Sequence, residues 1–144
     1  MFKIIVTGSE GRFGKVLQNL NDKRFIFKNK QQLNILSKRS ISKNLRKYKP
    51  NCILHLAGLS RPMKIHEKNI GKSIELNIIG TCNLVSEASK LGIKIIYIST
   101  SYVYPGKKGN YKEEDSLKPW NNYSWSKLGG ECAVQMYKNS LIVR

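Results

Sequence analysis

The opening residues restrict the fold most. An apolar run, Ile4-Ile5-Val6, leads into Thr7-Gly8-Ser9-Glu10-Gly11-Arg12-Phe13-Gly14, after which Phe13, Val16, Leu17 and Leu20 recur at helical spacing. Strand, glycine turn and helix in that order form the start of a βαβ unit, the context in which glycines three apart carry chemical meaning. A glycine at position 8 permits the tight turn, a bare Cα at Gly11 admits a pyrophosphate, and Gly14 lets helix and strand pack closely. The helix N-terminus would add amide donors and a positive dipole end. The segment therefore predicts a dinucleotide site lined by Gly8, Gly11, Arg12, Phe13 and Gly14, against the alternative of a purely structural turn.

The remainder of the chain repeats the alternation. Phe25-Ile26-Phe27 reads as a second strand, and Ser40 or Ser42 as the cap of a helix through Leu45 and Tyr48 that Pro50 ends. Cys52 to Ala57 is a nearly all-apolar third strand, as expected for a strand covered on both faces. A long helix is predicted from about Gly71 to Leu91, a fourth strand over residues 94–99 and a lysine- and glycine-rich surface loop from Tyr104 to Pro119. A last helix runs from Pro119 or Trp120 to Lys138, and Leu141-Ile142-Val143 opens a fifth strand. Alternating strands and helices joined by right-handed crossovers give an α/β fold, a doubly wound parallel sheet of Rossmann-like type, in one domain over residues 1–144.

Charge narrows the partners. Lys and Arg number 26 against 9 Asp and Glu, a formal net charge of +17. Attraction to an anion, whether a phosphate-rich cofactor, a nucleotide-linked substrate or nucleic acid, is one reading, and a solvated lysine-rich surface is the other. Twenty of the basic residues are Lys, whereas bidentate phosphate and base recognition favours Arg. The acid-free stretch between Asp22 and Glu67 is interrupted by Leu33, Ile35, Leu36, Ile41 and Leu45, so it reads as a folded segment with a basic face. Nucleic-acid binding is therefore not the expected main function. Apolar runs fall well short of the ~20 residues that cross a bilayer, and Met1 leads directly into strand-forming residues with no cleavage site, so a cytoplasmic protein is expected. Cys52, Cys82 and Cys132 are odd in number and widely spaced, with no Cys-x-x-Cys pair, while His55 and His66 stand alone. The pattern predicts buried or inert thiols and no metal site.

The end of the second strand selects the dinucleotide, since an acid there binds the ribose hydroxyls of NAD and a base the 2′-phosphate of NADP. That place reads Phe27-Lys28-Asn29-Lys30, with no acid nearby in sequence. Lys28, with Arg12 from the glycine turn, favours NADP over NAD, although Lys28 or Lys30 could equally be solvated. Tyr123 and Lys127, four apart, lie on one helical face. A tyrosine of ordinary pKa near 10 is a poor base at neutrality unless a cation stabilises its phenolate. Lys127 can do so while holding cofactor hydroxyls, leaving Tyr123 to move a proton to or from a sugar or alcohol oxygen.

These motifs, together with His55-Leu56-Ala57-Gly58, Asn77-Ile78-Ile79-Gly80-Thr81 and Ser99-Thr100-Ser101-Tyr102-Val103-Tyr104, resemble those of the extended short-chain dehydrogenases/reductases. More narrowly, the chain is similar to the dTDP-4-dehydrorhamnose reductase and NAD-dependent epimerase/dehydratase group, which acts on nucleotide sugars. The resemblance implies Thr100 as the catalytic hydroxyl, with Ser99 as the alternative. It implies Tyr123 as general acid/base and Lys127 as the group that lowers its pKa and binds the nicotinamide ribose. Asn77 would support the lysine through water, against a reading as an ordinary polar helix residue, and Ala57 and Gly58 would line the cofactor.

Dehydratases of this group carry Asp-Glu directly after the catalytic Thr. Here Ser101 and Tyr102 stand there, which disfavours dehydration. Ser-Thr-x-Tyr-Val and the following loop look most like the reductase branch, although Ser101 replaces a common Asp. The expected function is NAD(P)-dependent reduction of a 4-keto deoxyhexose nucleotide. A sugar-nucleotide epimerase is the alternative within the family, and a dinucleotide-binding module without turnover the alternative outside it. Complete family members are longer and hold the nucleotide-sugar pocket in their C-terminal half, so the resemblance implies an N-terminal portion lacking the substrate domain. Pairing into a homodimer through the helices of Asn77 and Tyr123 is a further expectation.

Overall fold

A computed structural model describes residues 1–144. Five parallel strands, β1 (Ile4–Thr7), β2 (Phe25–Lys28), β3 (Cys52–His55), β4 (Lys94–Ile98) and β5 (Ser140–Val143), form one sheet in the order β2-β1-β3-β4-β5. Between them run α1 (Arg12–Gln18), α2 (Lys38–Tyr48), α3 (Ile65–Lys68), α4 (Ile70–Ser73), a π-helical segment (Ile74–Ile79), α5 (Gly80–Ser89) and α6 (Asn122–Gln135).

The strand order dictates where the helices lie. The crossover from β1 to β2 steps one way along the sheet, whereas those from β2 to β3, β3 to β4 and β4 to β5 step the other way. Right-handed crossovers then put α1 on one face and α2, α5 and α6 on the opposite face, where α5 packs against both α2 and α6. Paired residues across the strands show the inequality. Ile5, Ile53 and Ile95 lie in register toward the three helices and are fully buried. In register on the other face are Val6, Leu54, Ile96 and Leu141. Val6 is covered, Leu54 and Ile96 are half-buried, and Leu141 is 49% exposed. The winding is double, as expected, but its two helical layers are unequal.

The core lies under the three helices, with Ile41 and Leu45 of α2, Leu84 and Ala88 of α5 and the strand isoleucines closing on Leu33 and Ile35. Fully burying one such side chain contributes about 1.5–3 kcal/mol.

Several elements differ in detail from the sequence expectation. The cap of α2 is Ser37, which accepts from the Ser40 amide at 3.2 Å, while the Ser40 hydroxyl accepts from the Asn34 amide. The helix predicted from Gly71 to Leu91 is continuous in direction but passes through a π segment, so its side chains lose 3.6-residue phasing around Asn77. α6 starts later than predicted because Asn121 and Ser124 form a reciprocal capping box there. Of the three free thiols only Cys52 is buried. Cys82 and Cys132 are exposed on α5 and α6, since their apolar sequence neighbours are helical and turn inward without them.

Candidate functional site

In a sheet ordered 2-1-3-4-5, connections leave β1 and β3 in opposite directions, opening a crevice at their carboxyl ends. A cleft of about 670 Å³ lies there, lined by the glycine turn after β1, by Asn29 and Lys30 after β2 and by Leu56 to Arg61 after β3. Gly8 has φ +68°, and a Cβ on it would stand 2.7 Å from the Ala57 backbone, so only glycine lets the two loops approach this closely. Gly11, with φ −69°, needs no special conformation, and apart from the Gly8 carbonyl nothing approaches its Cα on the cleft side. It also caps α1 without a side chain, leaving the amides of that first turn without a side-chain partner. Gly14 is required for a different reason from the expected strand contact, because its Cβ would collide with the Ser9 backbone within the turn itself.

Gly8, Gly11, Arg12, Phe13, Gly14, Ala57 and Gly58 all line this cleft. Lys28 does not. It pairs with Thr7 across the sheet and therefore points to the face covered by α2, where the residue is largely buried and its ammonium bonds the Tyr48 hydroxyl at 2.9 Å and sits 4.1 Å from the centre of that ring. Lys30, two residues on, is the lysine that faces the cleft.

Beneath the cleft a chain of hydrogen bonds crosses the sheet. The Ala57 amide donates to the Thr7 hydroxyl at 3.1 Å, and Thr7 lies 2.9 Å from Nδ1 of His55. Nε2 of His55 lies 3.1 Å from the Thr81 hydroxyl, which donates to the Asn77 carbonyl at 2.8 Å. Because Thr81 spends its proton on Asn77, it accepts from Nε2–H, and Nδ1 accepts from Thr7. This network assigns one tautomer of a neutral imidazole. Burial, with the Lys127 charge adding to it, holds His55 neutral down to about 3.

The chain ends at the π segment, and Asn77 carries it onward. Its side chain accepts from the Leu59 amide at 2.6 Å and donates to the Leu59 carbonyl and to the Ser126 hydroxyl, both at 2.8 Å. Ser126 in turn donates to the Tyr123 carbonyl at 2.7 Å. Gly130 permits this docking of α6, since a Cβ there would be 2.8 Å from the Asn77 carbonyl and 2.5 Å from the Tyr97 hydroxyl. Asn77 thus fixes the loop after β3 against α6, and each polar group of its amide is satisfied by Leu59 and Ser126.

Thr100, at the end of β4, caps a short 3₁₀ turn, and its hydroxyl lies against Tyr123. The neighbouring Ser99 hydroxyl is buried without a partner. Burial is the largest influence on Tyr123 and raises its pKa, with Thr100 and Arg61 opposing. Lys127 lies against a different tyrosine. Its buried ammonium stands 4.0 Å from the centre of the Tyr97 ring, and burial lowers its pKa to about 8 while Glu131 pulls the other way. The tyrosine and lysine share a helix, but here the phenol keeps its proton at neutral pH.

His66 and Tyr102 complete the surroundings of Tyr123 and had no signal in the sequence beyond their residue type. The fully buried His66 ring lies 5.0 Å from that of Tyr123 and Tyr102 approaches edge-on at 6.4 Å. Nδ1 of His66 is 2.8 Å from the Ser73 hydroxyl. No group of three or more His, Cys, Asp or Glu side chains is placed to hold a metal. No helix is long and apolar enough to cross a membrane.

Comparison with known proteins agrees with this geometry. The dTDP-4-dehydrorhamnose reductase of Clostridium acetobutylicum superposes with a TM-score of 0.88 at 30% identity, covering 99% of this chain and 52% of that one. The Bacillus anthracis dTDP-4-dehydrorhamnose reductase, solved in complex with NADP, gives 0.90 at 28% identity over 100% of this chain and 53% of that one. In sequence, the bovine methionine adenosyltransferase 2 subunit beta is 36% identical over 104 residues, 72% of this chain and 31% of the relative. The Bacillus subtilis spore coat polysaccharide biosynthesis protein SpsK is 31% identical over the full chain and 52% of its own length. The chain thus spans between about a third and about half of the relatives it matches. Residues 2–144 match the family described as the RmlD substrate binding domain, and the chain belongs to that family, within the extended short-chain dehydrogenases/reductases.

Proposed function

We propose that the protein to which this chain belongs is an NAD(P)-dependent oxidoreductase acting on a nucleotide sugar, reducing a 4-keto deoxyhexose, with residues 1–144 as its dinucleotide-binding part. One observation carries the reading: the glycine cleft at the β1/β3 crevice is tied through Leu59, Asn77 and Ser126 to the helix bearing Tyr123. The bare Gly11 and the side-chain-free cap of α1 fit a dinucleotide pyrophosphate, with Gly8, Arg12, Phe13, Gly14, Ala57 and Gly58 around it. When bound, a reduced nicotinamide supplies the hydride.

The proton is the protein's contribution. With its pKa raised by burial, Tyr123 is a protonated phenol at neutral pH, which suits delivery of a proton to a developing alkoxide, the reductive direction. The Thr100 hydroxyl beside it is the group to hold the same substrate oxygen. Lys127, half-titrated near pH 8, is poised to lend charge once a ligand draws it from the Tyr97 ring.

A second reading is favoured by the names of the 36%-identical relatives, which are subunits of methionine adenosyltransferase: a dinucleotide-binding subunit without sugar turnover. Tyr123→Phe in the full-length protein separates the two. The oxidoreductase reading expects NADH or NADPH consumption with a 4-keto sugar nucleotide to fall by at least a thousandfold while dinucleotide affinity stays within about threefold. Binding of either dinucleotide with no turnover of either in the parent protein favours the subunit reading, and unchanged turnover in the variant removes Tyr123 from the chemistry.

A further inference from the structure

We infer that Glu10 is the ribose-binding acid of this chain and its determinant against a 2′-phosphate. No acid stands near the end of β2 in sequence, yet the glycine turn brings one there in space. The Glu10 carboxylate lines the cleft and accepts from the Asn29 amide nitrogen at 3.1 Å, one residue beyond β2. Asn29 is itself locked. Its backbone amide donates to the Gln32 side chain at 3.1 Å and its side-chain oxygen accepts from the Gln32 amide at 3.0 Å, which leaves its nitrogen directed at Glu10.

The charges facing this end of the cleft are therefore Glu10, Arg12 and Lys30, with Arg61 on the loop after β3. Lys28, whose place in the sequence favours a 2′-phosphate, is withdrawn beneath Tyr48. A carboxylate accepts from both hydroxyls of a ribose cis-diol, whereas beside a phosphate dianion it is a like charge. Arg12 and Lys30 supply the opposing attraction, so Glu10 sets the balance between the two dinucleotides.

The inference rests on the dinucleotide reading above and is tested by binding alone. NADH and NADPH are each titrated into the full-length protein and into Glu10→Gln, which keeps the side chain's size and its bond to Asn29 while removing the charge. The expected result is a shift of at least tenfold in the ratio of the two dissociation constants toward NADPH, shrinking as salt is raised. A ratio unchanged within twofold, with both dinucleotides still bound, overturns the role of Glu10 and leaves the dinucleotide reading standing. Failure of the parent to bind either dinucleotide overturns both.

Discussion

Nε2 of His55 lies 3.1 Å from the hydroxyl of Thr81, joining the third strand to the helix that follows the π segment. Protonation would leave this bond in place but would cost Nδ1 its role as acceptor from the Thr7 hydroxyl at 2.9 Å and put a charge in a fully buried site, and the ring is held neutral down to about 3 against an ordinary value of 6.5. The folded state thus binds fewer protons than the unfolded chain between those values. The stabilisation is complete above about pH 6.5 and drains away as pH falls toward 3. Urea midpoints at pH 7.5, 5.5 and 4 are expected to show the parent losing up to about 1.4 kcal/mol per pH unit more than His55→Gln in that window. Parallel losses in the two proteins would assign the acid sensitivity to other groups.

Lys127 carries the reverse tension. Its pKa of about 8 means that the fold tolerates a poorly solvated charge at neutral pH. Lys127→Met is expected to raise stability at pH 7 by about 1–3 kcal/mol, with the gain shrinking as pH rises from 8 toward 10.5. Denaturant melts at pH 7 and pH 10 check both the sign and the pH trend.

Asn77→Ala removes three short hydrogen bonds and leaves the Leu59 amide and carbonyl without their side-chain partner. A cost of about 3 kcal/mol is expected. Faster deuterium exchange at Leu59 should accompany it, since that loop is held by this side chain.

Two glycines of one turn are expected to part company. Gly8→Ala forces a Cβ into the Ala57 backbone at a positive φ and should cost more than about 2 kcal/mol. A Cβ at position 11 meets only the Gly8 carbonyl at 3.2 Å and needs no unusual φ, so Gly11→Val should keep most of its melting temperature while losing dinucleotide binding. Calorimetry and a cofactor titration on both variants make the comparison.

The sheet and the cleft were legible because hydrophobic alternation and the glycine spacing act locally: Ile4-Ile5-Val6 and Gly8 need no distant partner to announce a strand and its turn. What escaped depends on where a strand ends and on space. Lys28 and Lys30 look equivalent in sequence, but Lys28 is the last residue of β2, in register with Thr7 and held against Tyr48, whereas Lys30 lies beyond the strand and turns to the cleft. Glu10 lies nineteen residues from Asn29 along the chain and 3.1 Å from it through space. The π segment is invisible to a 3.6-residue template, and with it the reason why Asn77 reaches both Leu59 and Ser126. Ser37 and Ser40 differ as caps only through which amide each one meets.

The unequal helical layers have a colloidal consequence. On the face that α1 leaves open, Leu141 and Val143 are 49% and 42% exposed, while each copy of the chain carries a formal charge of +17. At low ionic strength that charge keeps copies apart over tens of ångströms, but in 0.1 M salt the repulsion decays within about 10 Å. Solubility of residues 1–144 by themselves is thus a contest between long-range repulsion and a short-range sticky strip, and added salt tilts it toward precipitation.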